Sequence, residues 1–205
     1  MSRLYKNKFK TESTRLKKWD YSQNGFYFVT ICTNNHQLFF GDVKKSESEH
    51  CPIFEMKKSP IGKIAEKYWL EIPKHFSNVK LDVFVIMPNH LHGVIEICDD
   101  IVIDKNKPCK HVETQQCCVS TTTNNESKTF YRLIPKSLPV IIRSFKSICT
   151  KTINQKFDDR NFSWQSKYYD HIIRDEKSLD EIRKYIIDNP AKWDLDKNVV
   201  ENFYK

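Results

Sequence analysis

Short apolar runs along the chain predict three β-strands. Residues 26–33, 79–86 and 91–97 are rich in Val, Ile and Phe over lengths typical of single strands. Pro88 and Asn89 interrupt the pattern between the second and third runs. This predicts a tight link between two neighbouring strands.

Apolar residues recur at helical spacing in three other stretches. Ser59 and Pro60 open the first predicted helix, which Pro73 is expected to end. Residues 137–139 open the second. In the third, residues 178–181 form a capping box, and the helix runs to about residue 188. Asn189-Pro190 is expected to end it, because a residue before proline avoids the α region.

The other stretches carry weaker patterns. Residues 41–58 are polar and predict irregular structure, and residues 161–174 predict a strand or a loop. Residues 104–128 are rich in Lys, Asn, Thr and Gln, which indicates a poorly ordered insertion. We therefore expect one domain over residues 1–205, with this insertion and a basic N-terminal arm over residues 1–20.

The net charge of the chain indicates what kind of partner it binds. The chain has 34 Lys and Arg against 26 Asp and Glu, a net charge of +8. Such an excess favours a polyanion, most simply nucleic acid. In the arm, Arg15, Lys17 and Lys18 could follow a phosphate backbone, or the arm could be a frayed, solvated tail. Arg143 and Lys146 on the second helix could face DNA, although an ordinary amphipathic helix also explains their positions.

Seven cysteines are present without a Cys-x-x-Cys pair. The N-terminus has no apolar leader, and no apolar run is long enough to span a membrane, so we expect a cytoplasmic protein with reduced cysteines and no membrane partner. Zinc binding by the residues near position 110 is an alternative, but their spacing matches no standard zinc site: Cys109, His111, Cys117 and Cys118.

Candidate chemistry lies in the third strand. Residues two apart on a strand share a face, so His90 and His92 project side by side. Neutral imidazoles bind divalent metals, but the pair could also be hydrogen-bonded side chains on a half-buried sheet. Tyr185 and Asn189 lie one helical turn apart and could face this pair. Alternatively, Tyr185 is a core aromatic residue and Asn189 a helix C-cap.

Taken in order, six pieces of the chain resemble the REP-associated tyrosine transposases. These belong to the single-strand transposases, which have a His-hydrophobic-His motif and one catalytic tyrosine. Each piece alone is weak, but all of them occur in the family's order, distributed along nearly the whole chain outside residues 104–128. The pieces are residues 27–33, 87–93, 144–147, 164–165, 170–174 and 185–190.

The resemblance implies an α+β protein with a ferredoxin-like antiparallel sheet and helices packed on one face. It also implies a metal-dependent nuclease that cleaves and rejoins single-stranded or hairpin DNA through a covalent 5′-phosphotyrosine. Tyr185 matches the nucleophile, and His90, His92 and Asn189 match ligands of Mg²⁺ or Mn²⁺. The family pattern favours Tyr185 over its rivals Tyr168 and Tyr169.

The resemblance leaves other roles open. Residues Trp164, Gln165, Asp170, His171 and Arg174 recur in the family without a fixed function, and we expect Arg174 to contact DNA. The chain would act as a monomer or a homodimer. Two alternatives remain: a domesticated hairpin-DNA-binding protein without strand transfer, and a metal-dependent hydrolase of another class that uses the histidine pair.

Overall fold

A computed structural model describes residues 4–5, 8–9, 16, 19–46, 53–99, 134–157 and 161–196. The strands are β1 (Leu4–Tyr5), β2 (Lys8–Phe9), β3 (Gly25–Cys32), β4 (Gly41–Ser46), β5 (Ile53–Lys58), β6 (Val79–Met87), β7 (His90–Ile97) and β8 (Tyr169–Ile173). The helices are α1 (Pro60–Leu70), α2 (Ile72–His75), α3 (Leu138–Lys156) and α4 (Glu176–Asp196), and a short 3-10 turn spans Asn34–His36.

The central sheet has four antiparallel strands in the order β6-β7-β3-β8. With α1 between β3 and β6, and α3 between β7 and β8, this is the β-α-β-β-α-β arrangement of the ferredoxin-like fold. The predicted fold class is therefore confirmed. The three predicted strands are β3, β6 and β7, and the tight link at Pro88-Asn89 joins the last two.

Neighbouring side chains along β3 point to opposite faces of the sheet and pack into two different cores. Tyr27, Val29 and Ile31 lie in the main core, together with residues of α1 and α3. Phe28 points to the other face and packs in a smaller cluster with Leu179 of α4. The expected packing of helices on one face thus holds for α1 and α3, and α4 adds a cover on the opposite face.

Close packing of α1 on the sheet depends on a glycine in β7. A Cβ atom added at Gly93 would lie 2.4 Å from Cζ2 of Trp69, which is completely buried. Ser59 caps α1 by accepting a hydrogen bond from the Gly62 amide at 3.1 Å, as its sequence predicts. Helix α1 ends at Leu70, and Pro73 lies in the first turn of α2 instead of ending α1.

The prediction of irregular structure over residues 41–58 is wrong, because β4 and β5 form an antiparallel hairpin there. Its strands pair from Gly41 with Lys58 to Ser46 with Ile53. The strands carry many charged residues and lack a continuous apolar face, so the sequence has no clear strand signal. Backbone pairing and contact with α4 hold the hairpin in place.

The predicted bounds of the last helix are also wrong at both ends. Helix α4 begins at Glu176, and the Asp175 carboxylate accepts hydrogen bonds from the amide and hydroxyl of Ser178 at 2.9 and 2.8 Å. The helix continues through Pro190 to Asp196. Proline removes one backbone hydrogen bond, but the next turn buries Trp193, which favours continuing the helix.

Several predictions lie outside the described residues, namely the 104–128 insertion, the zinc alternative within it and most of the basic arm. Within the arm, β1 and β2 pair with each other. In the part of the chain that the structure describes, no helix is both long and apolar enough to cross a membrane. The single-domain organisation stays a prediction.

Candidate metal and nucleophile site

The histidine pair lies at the start of β7, on the sheet face that α4 covers. His90 is opposite Cys32 of β3, and His92 is opposite Thr30. Both histidines are buried, and their ring centroids are 4.4 Å apart. The expected side-by-side arrangement is therefore present, on a rigid central strand.

Each histidine has one ring nitrogen held by a polar side chain of the sheet or its turn. His90 Nδ1 lies 2.7 Å from Oδ1 of Asn89, and His92 Nδ1 lies 2.8 Å from Oγ1 of Thr30. The Phe28 ring stacks on His92 at a centroid distance of 5.5 Å. These contacts fix both imidazole planes and leave the two Nε2 atoms for other partners.

Those two Nε2 atoms have different surroundings. His92 Nε2 lies 3.3 Å from the hydroxyl oxygen of Tyr185. His90 Nε2 is buried and has no hydrogen-bond partner among the described residues. A buried nitrogen without a partner lowers stability, and a bound metal ion would supply the missing partner.

Helix α4 presents Tyr185, Asn189 and Trp193 at intervals of four residues, which places them along one stripe of the helix. Tyr185 contacts His92, and the Trp193 ring lies 6.0 Å from the His90 ring. Asn189 therefore lies on the stripe between two residues that contact the histidine pair. It is completely buried, and within the part of the chain that the structure describes both polar atoms of its amide lack a hydrogen-bond partner.

Burial keeps both imidazoles neutral at physiological pH. Desolvation, with a smaller contribution from His36, lowers the pKa of His90 to about 3. Desolvation, followed by the charge of His90, holds the pKa of His92 well below its usual value of 6.5. Neutral imidazoles are the form that binds metals, so neither needs to lose a proton first.

The residues present fit a divalent ion. The candidate donor atoms are His90 Nε2, His92 Nε2 and the amide oxygen of Asn189, an N,N,O set of the kind that holds a divalent ion, and the Tyr185 hydroxyl lies 3.3 Å from His92 Nε2. Among the described residues, no group of three or more His, Cys, Asp or Glu side chains could hold a metal. Two imidazoles without a carboxylate suit Mn²⁺ better than Mg²⁺ by ligand softness.

The three candidate tyrosines differ in their position relative to the pair. Tyr168 lies in the main core, on the α1 and α3 side of the sheet. Tyr169 is on the same face as the histidines, next to Thr30, and its ring lies 6.2 Å from that of Phe28. Of the three, Tyr185 is the tyrosine whose hydroxyl lies within hydrogen-bonding distance of His92.

The candidate DNA contacts that the structure describes do not contact the histidine pair. Arg143 is exposed on α3, which packs on the opposite face of the sheet, and Lys146 donates hydrogen bonds to the carbonyl groups of Gln165 and Ser166. Arg174 is exposed and lies 5.9 Å from the Trp19 ring. Arg15, Lys17 and Lys18 lie outside the described residues.

Sequence reasoning missed four residues at the site: Phe28, Thr30, Asn89 and Trp193. Strand alternation and the pairing of β3 with β7 place Phe28 and Thr30 on the histidine face, but the pairing was not predicted. Trp193 was missed because the helix was expected to end before it. The side chain of Asn89 follows no periodic signal, because it belongs to a turn.

The chain has a four-stranded ferredoxin-like sheet, and its histidine pair lies under a helix that carries a tyrosine. A solved structure described as the REP-associated tyrosine transposase bound to a REP hairpin matches this fold with a TM-score of 0.51. The match covers 89% of this chain and 74% of that one at 15% sequence identity. The chain thus has the fold of a REP-associated tyrosine transposase.

No protein-family model matches the chain. An uncharacterised protein of Haemophilus influenzae strain Rd is 35% identical over 189 residues, which cover 92% of this chain and 93% of the relative. The chain belongs to the same family as that protein. This relationship extends over nearly all of both proteins.

Proposed function

We propose that this protein is a metal-dependent transposase-endonuclease that cleaves and rejoins single-stranded or hairpin DNA through a covalent bond to Tyr185. One observation carries the proposal. The Tyr185 hydroxyl lies 3.3 Å from His92 Nε2, and the His92 ring lies 4.4 Å from that of His90, whose buried Nε2 has no hydrogen-bond partner among the described residues. A phenol next to two neutral imidazoles is a nucleophile beside a set of metal ligands.

His90, His92 and Asn189 would hold the ion, and a bound Mg²⁺ or Mn²⁺ would polarise the scissile phosphate and neutralise charge that develops on it. Tyr185 then forms a bond from its oxygen to phosphorus, and the bond from phosphorus to the 3′ oxygen breaks. The phenol loses its proton, and the leaving oxygen gains one to become a free 3′-hydroxyl. A later 3′-hydroxyl attacks the phosphotyrosine, which restores Tyr185 and joins the strands.

The ring contacts of Tyr185 support its role as a positioned nucleophile. Its ring packs edge-on against Phe28 at 6.2 Å and against His92 at 5.3 Å. These contacts restrict the side chain before substrate arrives, and such restriction lowers the entropic cost of reaching the transition state. If His92 Nε2 held the ion, its single lone pair would no longer be free to accept a hydrogen bond from the Tyr185 hydroxyl, which lies 3.3 Å away.

Fold and charge support a DNA substrate. The solved structure with this fold is described as bound to a hairpin, and this chain carries a net charge of +8. A basic protein gains affinity for a phosphate backbone by releasing counterions. The exposed Arg143 and Arg174 are the described residues that we propose as backbone contacts.

The test is a covalent-adduct assay. Wild-type protein is incubated with labelled single-stranded hairpin oligonucleotides and Mn²⁺ or Mg²⁺, and then run on a denaturing protein gel. We expect a DNA-shifted band that requires the metal and disappears in Tyr185→Phe. Tyr169→Phe is the matched control, because it removes a hydroxyl from the same face of the sheet, and it should keep the band.

An adduct that persists in Tyr185→Phe would refute the assignment of the nucleophile. A shift on native gels without any covalent adduct would instead favour a hairpin-binding protein without strand transfer. Turnover of a small ester without DNA affinity would favour a hydrolase of another class.

A further inference from the structure

The turn before the histidine pair is held by a loop that is distant in sequence. The amide and hydroxyl of Thr33 both donate to the Asn89 carbonyl at 2.9 Å, and the Phe40 amide donates to the Pro88 carbonyl at 3.0 Å. The side chain of Asn89 makes a further contact, since its Nδ2 donates to the carbonyl of His36 at 3.3 Å. The loop over residues 33–40 therefore fixes both the backbone and the side chain of this turn.

These contacts determine how the Asn89 amide is oriented. An amide NH₂ donates and an amide oxygen accepts, so the contact with the His36 carbonyl requires Nδ2 on that side. The oxygen then faces His90, and Nδ1 of His90 lies 2.7 Å from it. Because this oxygen can only accept, the Nδ1 atom must carry the proton.

A neutral imidazole has one protonated nitrogen. With the proton on Nδ1, the lone pair of His90 lies on Nε2, the buried atom without a partner. We propose that Asn89 is a positioning residue that locks His90 in the Nδ1-protonated tautomer and so prepares Nε2 as a metal ligand. This inference rests on the proposed metal-dependent function, and it assigns a role to a residue outside the donor set.

The loop that orients Asn89 has a strained backbone. Asn35 and His36 have φ values of 51° and 52°, a left-handed conformation that residues other than glycine rarely adopt. Gln165 helps to hold this loop. Its side-chain Nε2 lies 3.0 Å from Nε2 of His36, and its backbone amide donates to the Cys32 carbonyl at 2.9 Å. Such strain persists where surrounding contacts determine it, and it is concentrated at functional sites.

The tautomer can be measured directly in metal-free protein. Long-range ¹H–¹⁵N correlation spectra of ¹⁵N-labelled protein distinguish a protonated ring nitrogen from an unprotonated one. We expect His90 to be protonated on Nδ1 in wild type and to gain the Nε2-protonated form in Asn89→Ala. Asn89→Asp keeps an acceptor for Nδ1, so it should restore the wild-type tautomer.

Mn²⁺ affinity, measured by calorimetry, is the second readout. Loss of an outer hydrogen-bond partner weakens metal binding by about 10–100-fold in comparable sites, so we expect this loss in Asn89→Ala and recovery in Asn89→Asp. Asn78→Ala is the control, because Asn78 is also buried and donates to a backbone carbonyl, that of Lys136, at 3.1 Å. It should keep both the tautomer and the affinity.

The outcomes separate this inference from the proposed function. An Nε2-protonated His90 in wild type, or an unchanged tautomer in Asn89→Ala, would overturn the positioning role. Unchanged Mn²⁺ affinity in Asn89→Ala would overturn its importance for the metal. Wild type that binds no Mn²⁺ but shows the expected tautomer change would support the lock and count against the metal-dependent function.

Discussion

Replacing Asn189 with Leu should stabilise the metal-free protein while abolishing its metal binding. The amide of Asn189 is completely buried, and neither of its polar atoms has a hydrogen-bond partner in the described ranges of the chain. An unpaired polar group of this kind lowers stability, whereas an apolar side chain of similar size has nothing to leave unpaired. We therefore expect Asn189 to lower the stability of the metal-free protein and to serve as a ligand when an ion binds.

The magnitude follows from the burial. Removing an unsatisfied buried polar group should raise the free energy of unfolding by about 1–3 kcal/mol. The higher helix propensity of Leu should add up to about 0.5 kcal/mol. For a chain of this size, each kcal/mol raises the melting temperature by about 2–4 °C, so the increase should be about 2–14 °C. At a Mn²⁺ concentration 100 times its Kd, wild type should gain about 2.7 kcal/mol and the variant nothing.

The assay is thermal and urea unfolding of both proteins, first with EDTA and then with increasing Mn²⁺. Asn154→Leu is the control, because both polar atoms of that amide are paired with the backbone of Phe162, at 3.1 and 2.9 Å, so this variant should lose about 1–2 kcal/mol. If Asn189→Leu is less stable than wild type in EDTA, Asn189 makes stabilising hydrogen bonds and the reasoning fails. If the variant still gains stability from Mn²⁺, Asn189 is not a ligand.

Two further predictions concern the sheet that carries the site. Gly93→Ala should lower the free energy of unfolding by about 1–3 kcal/mol, because the added Cβ would lie 2.4 Å from Trp69 Cζ2. A variant that unfolds in urea at the same concentration as wild type would contradict this packing. The metal-free protein should also lose stability as the pH falls from about 6.5 towards 3. In this window unfolded His90 binds a proton, whereas the buried ring, with its pKa lowered to about 3, does not. This residue contributes a slope of up to about 1.4 kcal/mol per pH unit. Urea unfolding across this range should show a smaller slope in His90→Gln, and equal slopes would refute the burial argument.

Much of the local structure could be predicted because it depends on near neighbours. The apolar runs of β3, β6 and β7 and the Ser59 cap of α1 are short-range features, and the structure has all of them. Period-two alternation alone places His90 and His92 on one face. The charged hairpin of β4 and β5 was missed because strand pairing, not an apolar pattern, defines it.

Spacing along the chain was enough to predict β3, β6, β7, the start of α1 and the side-by-side histidines, because these features depend on neighbours within one strand or one helical turn. Tertiary structure decided which residues meet. Tyr185 and His92 are 93 positions apart, and Asn89 and His36 are 53 apart. Helix α4 passes through Pro190 because burial of Trp193 favours another turn, and no local pattern records that burial. Contacts over such separations depend on strand order and on which face a helix covers, and only the folded chain fixes both.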